Sequence, residues 1–204
     1  MLVLFLILLL AVIAFFKTDV KDKFIKPKYE DVIKSDIDYD SDGIDDYTDI
    51  LNGAKDFISK KPKYKSKYYD GGYPTDEYRV CTDIIWYALK NAGYDFKTLI
   101  DEDIKNNKDE YDEDVGDTNI DFRRVRNIKV YLDRNALKLA NDSDFNPGDI
   151  VVYKKHIAIV SGRVNSKNEN YILHQHMYQA YEYDGLFKNE ILGHYRWRLN
   201  DGKK

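Results

Sequence analysis

The sequence predicts an α+β chain in which helices come first and strands follow. Three observations carry this. Apolar residues recur at helical spacing in Ile50, Leu51, Ala54, Phe57 and Ile58, and again in Ile84, Ile85, Ala88, Leu89 and Ala92. From Pro147 onward the texture changes to short β-branched or aromatic runs split by Lys, Gly, Asn and Ser clusters, the pattern of an antiparallel meander. Finally, 204 residues with 43% hydrophobic side chains can bury one sizeable core, which excludes a disordered tail. Segregated rather than alternating elements place the chain in the α+β class.

Composition narrows the function. The 32 Lys+Arg against 36 Asp+Glu leave a net charge of −4, which argues against a dedicated nucleic-acid binder. A single cysteine excludes an internal disulfide framework and zinc sites built on several thiolates, but not catalysis. We expect a monomer with four segments: a signal peptide or membrane anchor at 1–16, a tether at 17–35, an acidic loop and helix at 36–58, and the main domain at 59–200.

The first element is Met1 to Phe16, which holds no charged or polar side chain and ends at Lys17. As a helix it would span about 24 Å, short of the ~30 Å hydrocarbon core, and its length suits a signal or short signal anchor. The catalytic part is therefore expected outside the membrane, secreted or tethered through residues 1–16. Residues 17–37 are lysine-rich and read as a tether or a first short helix.

Next comes an acidic loop. Asp38, Asp40, Asp42, Ile44 (by its backbone carbonyl), Asp46 and Asp49 occupy positions one, three, five, seven, nine and twelve, with Gly43 at six. That spacing wraps a hard cation, and glycine permits the sharp turn. Asp49 stands where a full EF-hand has Glu, so the loop looks more like the dockerin-type half-hand of secreted proteins. A structural Ca²⁺ is expected here.

The Ile50–Ile58 helix follows directly. Residues 60–80 are turn-rich, with Gly71-Gly72 and Pro74 as punctuation. The Ile84–Ala92 helix ends at Gly93, a plausible C-terminal cap. Residues 101–117 carry nine acids and two lysines and read as a solvated loop or helix face. Ile128 to Ala140 is a helix or a strand–helix pair. Strands are expected at Ile150–Tyr153, His156–Ser161 and Tyr171–His176, with Gly193–Arg198 closing the sheet.

Cys81 sits where the turn-rich segment meets the Ile84–Ala92 helix. A helix N-terminus presents unpaired N–H groups that lower a thiol pKa. The candidate bases are His156, His174, His176 and His194. His156 shares a strand face with Ala158 and Val160, and either His174 or His176 could meet it from the next strand. A nucleophile, a base and an orienting group form the general arrangement for cysteine catalysis.

These residues resemble a family. Tyr69-Asp70-Gly71-Gly72, Cys81, Pro147-Gly148-Asp149-Ile150-Val151-Val152-Tyr153 and His156-Ile157-Ala158-Ile159-Val160 look like the NlpC-type cell-wall peptidases. Gly72-Tyr73-Pro74, Val80-Cys81-Thr82-Asp83, Asn119-Ile120-Asp121-Phe122-Arg123-Arg124-Val125-Arg126-Asn127 and Gly193-His194-Tyr195-Arg196 look more closely like the bacterial domain-of-unknown-function family numbered 1287. The resemblance spans residues 36–198, acidic loop included.

The resemblance implies a papain-like (NlpC-type) fold and a cysteine hydrolase acting on amide bonds of peptidoglycan stem peptides. Cys81 matches the nucleophile, His156 the general base and His174 the residue that orients it. Tyr69 matches the tyrosine that helps hold the oxyanion, with Tyr68 and Tyr73 as alternatives. His176 is the alternative to His174. An acyltransferase or deamidase on the same fold, and a calcium-stabilised binding module without activity, are the rival readings. Arg123, Arg124 and Arg126 either grip a substrate carboxylate or tie the acidic 101–117 segment to the body.

Overall fold

The computed structural model describes residues 27–142 and 144–198, together with Ile7 and Leu10. The expected signal or anchor at 1–16, apart from those two residues, and residues 17–26 of the tether lie outside the described residues. Among the described residues no helix is long and apolar enough to cross a membrane. Among its described residues the tether forms strand β1 (Lys28–Tyr29) and no helix.

Helix α1 (Asp46–Ser59) starts where Asp45 accepts the Thr48 N–H, one of the orphan donors of a first turn. It buries Ile50, Leu51, Ala54 and Phe57, as their spacing requires. Across the short parallel pair β2 (Lys63–Tyr64) and β3 (Tyr78–Arg79), the chain reaches α2 (Asp83–Asn91). α1 crosses α2 at close range: a Cβ added to Gly53 would lie 2.7 Å from Asn91 Cβ and 2.9 Å from Ala88 Cα. The α1 segment is therefore part of the same core as the rest of the chain, not a separate appendage. Helix α2 stops at Gly93, whose φ of +80° reverses the backbone while the Tyr94 N–H reaches back to the Leu89 carbonyl.

Residues 101–117 correct the expectation. The helix α3 (Phe96–Asn106), capped by Asp95, runs into them and buries Phe96, Ile100, Asp103 and Ile104. Buried Asp103 accepts the Tyr111 hydroxyl at 2.6 Å and pairs with Arg134. The acidic texture thus hid one carboxylate that is internal and satisfied. Helix α4 (Val125–Asn135) and strand β4 (Leu137–Leu139) make a helix–strand pair of the Ile128–Ala140 region.

Strands β5 (Ile150–Tyr153), β6 (His156–Val164), β7 (Asn170–Gln175) and β8 (Ala180–Tyr183) form the expected antiparallel meander, extended by β8. The closing strand β9 (Ile191–Arg196) does not follow β8 in space. It inserts between β4 and β5, giving the order β4-β9-β5-β6-β7-β8, with β1 against β6. Alternation then sorts the side chains. Ile150, Val152, Ile157, Ile159 and Leu173 face the helices, and meet Ile84, Ile85 and Leu89. Val151, Tyr153, Ala158, Val160 and Ile172 face the other way, with Leu186 and Ile191. Each large side chain so buried contributes about 1.5–3 kcal/mol.

Candidate active site

Cys81 lies in the turn just before α2, with Thr82 at the N-cap position. What sets this turn is Asp83. Its Oδ2 accepts the Val80 N–H at 2.7 Å and its Oδ1 accepts the Trp86 indole N–H at 2.9 Å. Arg123 Nε donates to Asp83 Oδ1 at 2.8 Å and its NH2 donates to Oδ2 at 3.0 Å. Both side chains are buried. The Thr82 hydroxyl donates to the Arg123 carbonyl at 2.9 Å, so the staple is doubled. Arg123 is thus paired with Asp83 rather than with the acidic segment. Arg124 and Arg126 do hold that segment, through Asp112 and Asp114.

The Cys81 thiol reaches β6 from the helix side and receives the Ile157 N–H. The expected lowering of its pKa is overturned. Burial, with the Asp83 carboxylate beside it, pushes the thiol up to about 11, outweighing the backbone N–H groups of Ile157, Thr82 and Cys81. Helix polarity stabilises a thiolate only if desolvation does not exceed it. At rest Cys81 is a thiol.

His156 and His174 come together. His156 Nε2 lies 2.9 Å from His174 Nδ1, with the rings perpendicular. In the register that pairs Ile159 with Leu173, His174 falls opposite Ala158, a diagonal step from His156 on the same face. Burial lowers the His156 pKa to about 4, assisted by His176, and that of His174 to about 3, assisted by His156 and His176. His174 stacks on Tyr183 at 5.5 Å and stands edge-on to Tyr181 at 4.9 Å. Its Nε2 is buried with no hydrogen-bond partner. His176 follows the end of β7, its ring 5.9 Å from that of His174. Both partners of the pair project with Tyr153, Ala158, Val160 and Ile172, away from the helices. No hydrogen bond joins Cys81 to His156 among the described residues.

Tyr69 does not serve Cys81 here. Its hydroxyl donates to Asp76 Oδ1 at 2.7 Å, and Asp76 also pairs with Lys67 at 2.6 Å. Burial and that carboxylate push the Tyr69 pKa up to about 12. Tyr68 and Tyr73 are also engaged, with Asp117 and Asp95 respectively. A tyrosine that the sequence did not single out, Tyr64, lines with Ser66, Lys67, Cys81, Thr82 and Arg123 a cleft of ≈ 190 Å³ over the Cys81 turn. Its signal was faint, because Tyr64 stands in a turn-rich stretch dense in Lys and Tyr.

The remaining motif residues are structural. Gly72, at φ +86°, passes so close to Phe122 that a Cβ would lie 2.8 Å from its ring, and Tyr73 packs edge-on against Phe122 and Trp86. Asp149 accepts two hydrogen bonds from Arg196, one from the Asn146 N–H, and lies 2.9 Å from His194 Nε2. His194 Nδ1 lies 2.7 Å from the Ala140 carbonyl, so this buried histidine ties β9 to its neighbours.

Residues 51–197 match the domain of unknown function family DUF1287. The chain belongs to that family. The DUF1287 match contains Cys81, the histidine pair, the Asp83–Arg123 staple and the Asp149 cluster. It starts after the acidic loop, which the resemblance drawn from sequence had included. The chain is also 32% identical over 164 residues to the uncharacterized protein YijF of Escherichia coli (strain K12), covering 72% of this chain and 80% of that protein. No solved structure is a significant match to the chain.

In the acidic loop, oxygens of Asp38, Asp40 and Asp42 lie within 4.8 Å of one another. Asp38 accepts the N–H groups of Asp42 and Gly43, and Gly43 turns at φ +94°. Asp46 departs from the expected ligand role: Oδ1 accepts the Tyr39 N–H at 2.9 Å and Oδ2 the Tyr94 hydroxyl. Burial, then the carboxylates of Asp42, Asp40, Asp46 and Asp38, push Asp49 up to about 6.

Proposed function

We propose that this protein is a papain-like cysteine hydrolase that cleaves amide bonds in peptides of the cell wall, working on the outer side of the membrane. The observation that carries the reading is the 2.9 Å His156–His174 pair on β6 and β7, beside the peptide that meets the Cys81 sulfur. The substrate class rests on the resemblance of the Tyr69–Gly72, Cys81 and Gly148–Val160 motifs to NlpC-type peptidases. Export rests on the apolar run 1–16.

The tautomers follow from the pair. For His156 to accept the thiol proton at Nδ1, its Nε2 must carry hydrogen and donate to His174 Nδ1. His174 then holds its own proton at the buried, unpartnered Nε2. Because the resting His156 ring projects to the face of the sheet opposite Cys81, substrate entry must swing this first residue of β6 around the strand end until Nδ1 faces the thiol, a larger change than the tightening usual in a complex. The thiol proton passes to Nδ1 as sulfur bonds to the carbonyl carbon. The Cys81 N–H faces the developing oxyanion, with the Tyr64 hydroxyl as the second donor from the same cleft. His156 next protonates the leaving amine as the C–N bond breaks. Water then gives a proton to His156 and its oxygen to the thioester, which releases the acid and restores the thiol.

A second reading is a binding module on the same fold, without turnover. The thiol held up at about 11, and not bonded to His156, favours it. Digestion of purified sacculi by wild type and Cys81→Ala, with products identified by mass spectrometry, separates the two. Soluble stem peptides from wild type alone support the hydrolase; equal, peptide-free binding of sacculi by both proteins supports the module.

A further inference from the structure

The acidic loop ahead of α1 has a feature that local turn chemistry does not explain. Asp49 is 2% exposed, yet its Oδ2 has no hydrogen-bond partner. Oδ1 has only the Asn91 amide, at 3.5 Å. The carboxylate meets the charge of four others, Asp42, Asp40, Asp46 and Asp38. A buried oxygen with neither a donor nor a counter-charge is costly, and a neighbouring cation removes the cost.

The surrounding donors suit one class of cation. Asp38, Asp40 and Asp42 already converge within 4.8 Å, and Ile44, in the exposed part of the loop, offers its carbonyl two residues after Asp42. We propose that Asp38, Asp40, Asp42, the Ile44 carbonyl and Asp49 bind a calcium ion, with Asp46 as an outer clamp held by Tyr39 and Tyr94. All donors are oxygen, four from the loop and Asp49 from the first turn of α1, and they number more than a rigid octahedral Mg²⁺ site normally takes from protein.

The position says what the ion does. Asp40 lies against Gly93, where a Cβ would be 2.7 Å from Asp40 Cβ, and Asn91 donates to the Asp49 carbonyl at 3.0 Å. The loop therefore joins the N-terminal end of α1 to the C-terminal end of α2, the helix whose other end carries Cys81. Calcium ties the two helices together, at the far end from the nucleophile and independently of the catalytic reading.

The test is thermal unfolding of the full chain in EDTA, in 10 mM CaCl₂ and in 10 mM MgCl₂. With a dissociation constant of ~10⁻⁴–10⁻³ M, as in extracellular modules, calcium raises Tm by roughly 3–8 °C and magnesium does not. Asp42→Ala, at an exposed position, loses the calcium shift without lowering the EDTA Tm, since it also removes a charge that repels Asp49. Asp49→Asn raises the EDTA Tm, because it removes the unpaired buried charge, and also loses the shift. An unchanged wild-type Tm in calcium, or an equal shift in magnesium, overturns the proposal.

Discussion

Arg123 closes a two-point fork on Asp83, Nε to Oδ1 at 2.8 Å and NH2 to Oδ2 at 3.0 Å, inside the protein. Asp83 is also the acceptor that holds the Val80 N–H, so the pair fixes both ends of the turn that carries Cys81. It joins two sequence motifs 40 residues apart.

Removing one partner leaves the other charged and buried. Arg123→Ala should cost about 3–5 kcal/mol in urea unfolding. Arg123→Lys, which cannot reproduce the fork, should recover only part of this. A cost below 1 kcal/mol for both would mean that water reaches the pair.

Resting Cys81 should be slow toward iodoacetamide. With the thiol held at about 11, its thiolate fraction at pH 8 falls about 100-fold below that of a free cysteine. The alkylation rate should keep rising toward pH 11. Faster reaction than free cysteine at pH 6 would instead reveal a preformed thiolate–imidazolium pair.

The histidine pair predicts which side chain matters and at what pH. His174→Ala should lower kcat by about 10²–10⁴-fold, the usual weight of acid–base assistance. His176→Ala should leave it within a few-fold. Activity should persist down to about pH 4, where His156 protonates. Peptide release assayed from pH 3 to 8 checks both, and an acid limb near 6.5 would count against the buried pair.

The same pair sets a sign for stability. Unfolded, both histidines take up protons near pH 6.5; folded, they resist until about 4 and 3. The unfolded chain binds more protons in that interval, so stability is full above 6.5 and falls as pH drops toward 4. Tm against pH should show this slope, and His174→Asn should flatten it while leaving the carboxylate contribution in place.

Helix crossing gives the fifth test. In an exposed helix Gly→Ala stabilises by about 1 kcal/mol. At Gly53 the new methyl meets Ala88 Cα at 2.9 Å and Asn91 Cβ at 2.7 Å, and overpacking costs about 1–3 kcal/mol. Gly53→Ala should therefore be net destabilising in urea unfolding; a gain would show that the helices separate freely.

The α+β class, helices α1 and α2, strands β5 to β7 and the short list of chemically able residues were legible in the sequence. Those features are local: apolar spacing reports which face of a helix or strand is buried, and Cys81 precedes α2 whatever the rest of the chain does. Other features were decided only by contacts distant in sequence. Side-chain direction at the ends of β6 and β7 joined His156 to His174, its diagonal neighbour, rather than to His176, which the register sets opposite it. Neighbours of Tyr69 committed its hydroxyl to Asp76, and Tyr64 came to line the cleft beside Cys81. Arg123 found Asp83, and β9 slipped between β4 and β5. The lone cysteine shows the division most clearly. Its place ahead of a helix predicts a low pKa, because helix polarity is a local property. Desolvation depends on what the folded chain packs over the sulfur, and here it is the larger effect.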